Sequence, residues 1–266
     1  MLIIGERINS TRPRIEEAIK ARNAAHILKE ASAQLRAGAD YIDINCAVTT
    51  GDELQDMDWI ISVLQSEIPE INICIDSPNY RAIEKALTVY KGKGKIFINS
   101  ITGEEPRIAK ILPMAVKYKT KLIALTMDEK GMPNSAAERV EIAKKIVEHV
   151  KKGGFNTEDL YFDALIRPVA TEPGQALEFL RAIPAIKGLG NVKTICGLSN
   201  VSFGLPHRGT VNAAFLSMAA AAGLDAAILD PTDRHISSAM AASAVLLNED
   251  QYCAGYIKAF RDKRLI

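Results

Sequence analysis

Seven short apolar runs in this 266-residue chain each end on a polar side chain that a buried strand should avoid. They are Ile3-Ile4-Gly5-Glu6, Tyr41-Ile42-Asp43-Ile44-Asn45, Ile73-Cys74-Ile75-Asp76, Ile96-Phe97-Ile98-Asn99, Leu160-Tyr161-Phe162-Asp163, Ile195-Cys196-Gly197-Leu198-Ser199-Asn200 and Ala227-Ile228-Leu229-Asp230. An eighth run, Leu122-Ile123-Ala124-Leu125-Thr126-Met127, ends more mildly. Helical sequence separates each run from the next. Continuous apolar runs are what parallel strands covered on both faces require. Polar groups repeated at the carboxyl ends of such strands belong where they can meet a ligand. In a (β/α)8 barrel that end is the catalytic face. One pattern therefore reports both fold and site.

The spacing predicts eight strand–helix units. Strands are expected over 2–8, 41–46, 71–76, 95–99, 121–127, 160–164, 193–198 and 226–230. The matching helices are expected over 14–37, 52–67, 79–90, 104–118, 136–152, 174–186, 210–222 and 235–248, with a last helix over 251–261. Gly38, Gly153-Gly154 and Gly223 sit where C-terminal caps belong. Ser135 precedes Glu138 by three residues, the spacing of a capping box. The helix that follows places Val140, Ala143, Ile146-Val147 and Val150 on one stripe and keeps Lys144, Lys145, Lys151 and Lys152 off it. No linker or composition shift divides the chain, so residues 1–266 read as one α/β domain, a (β/α)8 TIM barrel. A doubly wound open sheet is the competing architecture.

Bulk properties narrow the function. Apolar residues make up 48% and charged residues 24%, with a net charge of +1. That balance gives no reason to expect nucleic acid or an anionic membrane as partner. Glu6 and Arg7 interrupt the first apolar run, so no secretory leader is expected. No stretch reaches the ~20 apolar residues of a membrane span. Cys46, Cys74, Cys196 and Cys253 have no metal or CxxC spacing and read as reduced thiols of a cytoplasmic protein. His26, His149, His207 and His235 show no metal spacing either, and no metal is expected at Asp230 and Asp233. No GxGxxG or GxxxxGK[ST] follows a strand, which argues against nucleotide binding by those devices.

Asp76, Asn99, Asp163 and Asn200 end strands three, four, six and seven, and a barrel brings those ends to one pocket. Two carboxylates and two carboxamides suit a neutral heterocycle rich in N–H donors. A carboxylate facing a guanidine-like edge makes paired, charge-assisted bonds. An Asn supplies both a donor and an acceptor.

These residues also carry a resemblance. The opening Gly5-Glu6-Arg7-Ile8-Asn9 and the later Gly197-Leu198-Ser199-Asn200-Val201-Ser202 are its specific motifs. Between them come Asp43-Ile44-Asn45, Ile75-Asp76-Ser77, Ile98-Asn99-Ser100, Leu125-Thr126-Met127 and Tyr161-Phe162-Asp163. Together, over essentially the whole chain, they resemble the pterin-binding methyltransferase family of (β/α)8 barrels. That family includes the methyltetrahydrofolate:corrinoid protein methyltransferases, the folate module of cobalamin-dependent methionine synthase and, more distantly, dihydropteroate synthase.

The resemblance implies methyl transfer between a methylcorrinoid protein and N5 of tetrahydrofolate. In that reading Asp76, Asn99 and Asp163 hold the pterin edge, and Gly197 and Ser199 line the pocket beside the ring. Asn200 reaches N5. Glu6, Asp43 and Asn45 form the polar floor, and Arg208 approaches the folate tail or the corrinoid protein. Folate is the substrate, cobalamin is carried by a partner protein, and a homodimer is implied. Relatives that serve a corrinoid iron–sulfur protein tend to carry Gln-Asn after the Asn-Val-Ser. Phe203-Gly204-Leu205-Pro206-His207-Arg208 stands here instead. This departure favours a methylcorrinoid donor and a tetrahydrofolate acceptor, giving 5-methyltetrahydrofolate. Two alternatives stay open: a dihydropteroate synthase-like enzyme, whose Lys and Ser-x-Arg pair the chain lacks, and a non-catalytic folate-binding subunit of a corrinoid complex.

Overall fold

A computed structural model describes residues 1–47 and 51–266. Its strands are β1 (Leu2–Asn9), β2 (Tyr41–Asn45), β3 (Ile73–Asp76), β4 (Ile96–Ile101), β5 (Lys121–Leu125), β6 (Leu160–Asp163), β7 (Lys193–Gly197) and β8 (Ala226–Leu229). They are parallel and close in the order β1 to β8, with β8 back on β1. The helices are α1 (Pro13–Lys20), α2 (Ala24–Arg36), α3 (Glu53–Glu67), α4 (Tyr80–Val89), α5 (Glu105–Tyr118), α6 (Ala136–Lys152), α7 (Gln175–Lys187), α8 (Arg208–Ala221), α9 (Arg234–Leu246) and α10 (Ala254–Arg261). This is the (β/α)8 barrel that the strand ends predict.

Two apolar layers build it. One lies between the strands and the surrounding helices, and holds Ile3, Ile42, Ile44, Ile73, Ile75, Leu122 and Phe162 against helix residues such as Ile60, Ile146 and Phe179. The other fills the barrel itself with Ile4, Tyr41, Cys74, Phe97, Ile123, Tyr161, Ile195 and Ala226. Phe97 meets Tyr41 at 4.8 Å and Tyr161 at 4.9 Å, both edge to face. Each such contact adds roughly 0.5–1.5 kcal/mol to the burial itself. This plug makes the barrel a packed body with a floor rather than a pore.

Alternation along a strand then dictates the site. Two residues beyond Ile4, Tyr41, Cys74, Phe97, Tyr161 and Ile195 stand Glu6, Asp43, Asp76, Asn99, Asp163 and Gly197. All six therefore face the barrel axis, one layer above the plug. Gly5 faces the other way. A Cβ there would meet the Gln34 side chain at 2.4 Å, and Gln34 is fully buried and accepts from the Arg7 amide at 2.9 Å. The glycine lets α2 lie close enough to fix β1.

Several limits differ from expectation. The helix expected over 14–37 is two helices, broken at Ala21–Asn23, where Arg22 adopts φ 51° and Asn23 caps α2 by accepting from His26 N at 3.1 Å. β4 runs on to Ile101, with a register shift after Asn99. β5 stops at Leu125, because Thr126 turns its hydroxyl and amide onto the Asp163 carbonyl. β7 stops at Gly197, and Leu198–Ser202 form a 3-10 turn. The last expected helix is a 3-10 turn, Gln251–Cys253, followed by α10. The capping box at Ser135 and Glu138 is present, and Gly38, Gly154 and Gly223 follow their helices with φ of 101°, 77° and 95°.

Candidate active site

Register aligns Asn45, Asp76 and Asn99 side by side across β2, β3 and β4. Asn45 Nδ2 donates to Asp76 Oδ2 at 2.8 Å, while Asn45 Oδ1 accepts from the Ala47 amide at 3.0 Å. Both ends of the Asn45 amide are thus used, and one Asp76 oxygen is left without a hydrogen bond among the described residues. Asn99 is half-buried and makes no side-chain hydrogen bond among the described residues.

Across the barrel, Asp163 is almost fully buried. Its Oδ1 accepts from Leu165 N at 2.7 Å and its Oδ2 from Gly197 N at 3.4 Å. Burial dominates over these amides and the Arg139 charge, and raises its pKa from 3.8 to about 6. Asp43 lies below Asp76, opposite Cys74 in the register. Burial, reinforced by the Asp76 charge, raises its pKa well above the carboxylate range. Its Oδ1 is buried with no hydrogen-bond partner. Asp76 is raised for the same first reason, against the opposing Asn45 bond and Arg107 charge.

The β7 end supplies the remaining groups. Asn200 is exposed on the 3-10 turn, and its Nδ2 would lie 3.2 Å from a Cβ at position 197. Only glycine lets the Asn200 amide fold over the strand end. Ser199 Oγ donates to Glu6 Oε2 at 3.3 Å. Glu6 is raised from 4.5 to about 7, chiefly by burial, with the Arg12 charge opposing and the Asp230 charge assisting. At physiological pH this carboxyl is shared between its acid and its anion.

Arg208 lines the space beside Ser199. Its guanidinium turns back onto its own loop, donating from Nη2 to Ser199 O at 2.6 Å and from Nε to Ser202 Oγ at 3.1 Å, with the Phe203 ring 5.9 Å away. It ties down the turn that carries Asn200. Phe203 stands 64% exposed beside it. An open pocket of about 360 Å³ begins here, lined by Glu6, Ser199, Arg208, Asn212 and Asp230. The buried Asn212 Oδ1 has no hydrogen-bond partner.

Sequence reasoning missed two arginines beneath the site. Arg107 donates to the carbonyls of Ser100, Pro78 and Ser77 at 2.7, 2.6 and 3.0 Å, pinning the loops after β3 and β4. Arg139 is fully buried and donates to Ala164 O at 2.6 Å and Gln175 Oε1 at 2.8 Å. Each lies within the first turn of its helix, and nothing in its local pattern separates it from a surface cation. Asp230 and Asp233, weighed as metal ligands, have other partners. Asp230 accepts from Arg7 at 2.8 Å and Thr232 at 2.6 Å, and Asp233 caps α9 through His235 N at 2.8 Å.

Known proteins share sequence and fold with this chain. Residues 5–230 match the family described as pterin binding enzyme. The chain is 34% identical over 269 residues to a methylcorrinoid:tetrahydrofolate methyltransferase of Eubacterium limosum, covering 100% of this chain and 98% of that one. It is 31% identical over 243 residues to methionine synthase of Mycobacterium tuberculosis, covering 86% of this chain but only 20% of that protein. Among solved structures, dihydropteroate synthase of Xanthomonas albilineans with 4-aminobenzoic acid superposes with a TM-score of 0.68 at 18% identity. It covers 94% of this chain and 92% of its own, and that likeness concerns the fold alone.

Proposed function

The chain belongs to the pterin binding enzymes, and from that premise we propose that it moves a methyl group between a methylcorrinoid protein and N5 of tetrahydrofolate. One observation carries the reading. Two carboxylates, Asp76 and Asp163, end β3 and β6 at the same face of the barrel as two side-chain amides, Asn99 of β4 and Asn200 just past β7, that have no hydrogen-bond partner of their own among the described residues. A pterin presents N–H groups to carboxylates, and needs groups of both polarities elsewhere on its rim. Asp76, Asn99 and Asp163 hold that edge, with Asn45 and Asp43 supporting Asp76 from beside and below. Gly197 and Ser199 form the wall at the ring.

Methyl transfer to N5 is an in-line displacement. The N5–CH3 bond forms as the methyl–corrinoid bond breaks, its electron pair stays with the corrinoid, and the N5 proton leaves. The corrinoid, held by its own protein, supplies the methyl group. This chain supplies position and polarity, which account for much of a rate enhancement in such reactions. Asn200 accepts from N5–H before transfer and donates to the N5 lone pair in the reverse direction. A fixed cation would oppose one of those states. Glu6, poised near neutrality, lies one hydroxyl away through Ser199 and can take up the departing proton.

Further parts of the reading concern setting. The chain acts in the cytoplasm with reduced thiols, consistent with buried Cys46, Cys74 and Cys196. It acts as a homodimer, supported by the exposed apolar side chains of its last two helices. Purified protein mixed anaerobically with methylcobalamin and tetrahydrofolate tests the chemistry. The methylcorrin spectrum should decay as 5-methyltetrahydrofolate appears. Failure to bind folate at all would overturn the assignment.

A further inference from the structure

We propose that an arginine-lined hollow beside the barrel mouth binds the γ-linked glutamate tail of polyglutamyl folates. This rests on the pterin reading above and adds where the far end of the substrate lies. A pterin held by Asp76, Asn99 and Asp163 with N5 at Asn200 points its neighbouring carbon, which bears the aminobenzoyl-glutamate arm, past β7. The barrel continues from there to β8 and β1. On that side lies the pocket of about 360 Å³ that begins at Ser199 and includes Arg12. Arg12 is also a wall of a second hollow of about 440 Å³, lined further by Arg7, Arg14, Ile15, His26 and Glu30. The two spaces adjoin at Arg12, whose side chain lines both.

Charge distinguishes the outer hollow. Its carboxylate Glu30 is taken by Arg7 at 2.7 Å, and nearby Asp230 by Arg7 at 2.8 Å and Arg12 at 3.5 Å. Arg14 is exposed and has no carboxylate partner among the described residues. His26 adds a second unpaired ring at the same wall. Positive charge is thus in excess in the outer hollow, where a polyglutamate would bring one carboxylate per residue. Pro13 and Ile15 offer apolar contact to the methylene pairs between those carboxylates. A guanidinium suits carboxylates better than a lysine would, because its fork donates to both oxygens.

Dissociation constants for tetrahydrofolate mono- and triglutamate, measured on the full chain with no corrinoid protein present, test this. The triglutamate should bind about fourfold tighter at low salt, each of its two added exposed contacts being worth a factor of about two. The advantage should shrink in molar salt, where charges further than about 3 Å apart are screened. Arg14→Glu should bring the ratio of the two constants to about one, and Arg14→Gln to an intermediate value. The ratio cancels any change common to both ligands. Equal binding by the wild type, or an unchanged ratio in both variants, overturns the tail site and leaves the pterin reading standing. A chain that binds neither folate removes the pterin reading first.

Discussion

Asn200 is exposed and bonded through its side chain to no other described residue, so removing its amide leaves no buried group unpaired. Asn200→Ala should therefore cost the fold less than about 0.5 kcal/mol. Loss of one polar group aligned with a transition state lowers a rate by about 100-fold. Single-turnover transfer should fall by about that factor while the folate dissociation constant moves less than about threefold. Equal losses in rate and binding would contradict the assignment of Asn200 to N5. Glu6 makes a separate prediction, independent of substrate. Its pKa is raised in the folded chain from 4.5 to about 7, first by burial. Between those values the native state holds more protons than the unfolded state, so stability falls as pH rises through the window. Asp43, Asp76 and Asp163 are raised as well and act with the same sign. Asp230 is lowered: burial opposes, but bonds from Thr232 and the Arg7 charge outweigh it. Its effect therefore falls below that window. Urea midpoints should drop from about pH 4.5 to pH 7, and Glu6→Gln should flatten the slope by on the order of 2 kcal/mol. A slope identical to wild type would show that Glu6 is ionised throughout.

At the scale of the element, the 3-10 turn Leu198–Ser202 decides where Asn200 points. Gly197 sits at φ −74°, a conformation any residue adopts, so its glycine is not required by the backbone. A Cβ there meets only the Asn200 amide, at 3.2 Å. Gly197→Ala should leave the melting temperature within about 3 °C, since its cost is confined to an exposed side chain. It should slow methyl transfer by about tenfold by tilting Asn200 away, and kinetics beside a melt will separate the two. What the sequence made legible at this scale follows from where its signals are local. Alternation and strand-end polarity brought Glu6, Asp76, Asn99 and Asp163 to one end of the barrel, because a strand faces one way every second residue, while Asn200 follows on the turn after β7. The capping box at Ser135 was readable for the same reason. The break between α1 and α2 was not. Ala21-Arg22-Asn23 contains no Gly or Pro, and only Asn23 as a cap marks it. The bonds of Arg208 to Ser199 and Ser202 were equally unreadable, since they depend on how a loop folds back.

For the whole molecule, the barrel explains most of the apolar surface except that at its C-terminal end. Leu246, Tyr252, Phe260 and Ile266 are 84%, 94%, 70% and 68% exposed, and Leu247, Tyr256 and Ile257 are exposed beside them in sequence. Tyr256, Ile257 and Phe260 follow the i, i+1, i+4 spacing that puts side chains on one side of a helix. Single exposed apolar residues are ordinary, but several gathered between the end of α9 and the C-terminus are what an interface would cover. The helices next to it are rich in small residues, with Ala219 and Ser243 buried and the Ser217 hydroxyl accepting from Ser243 at 3.0 Å. That packing keeps α8 and α9 rigid and leaves α10 as their outward apolar edge. A second copy of the chain presents the same edge, and a two-fold axis would let each α10 cover its counterpart. Light scattering should give twice the 29.0 kDa mass of one chain. Phe260→Asp combined with Leu246→Asp should give a single-chain mass while retaining transfer from free methylcobalamin. A wild type that runs as one chain at micromolar concentration would remove the dimer and leave this edge to the corrinoid partner.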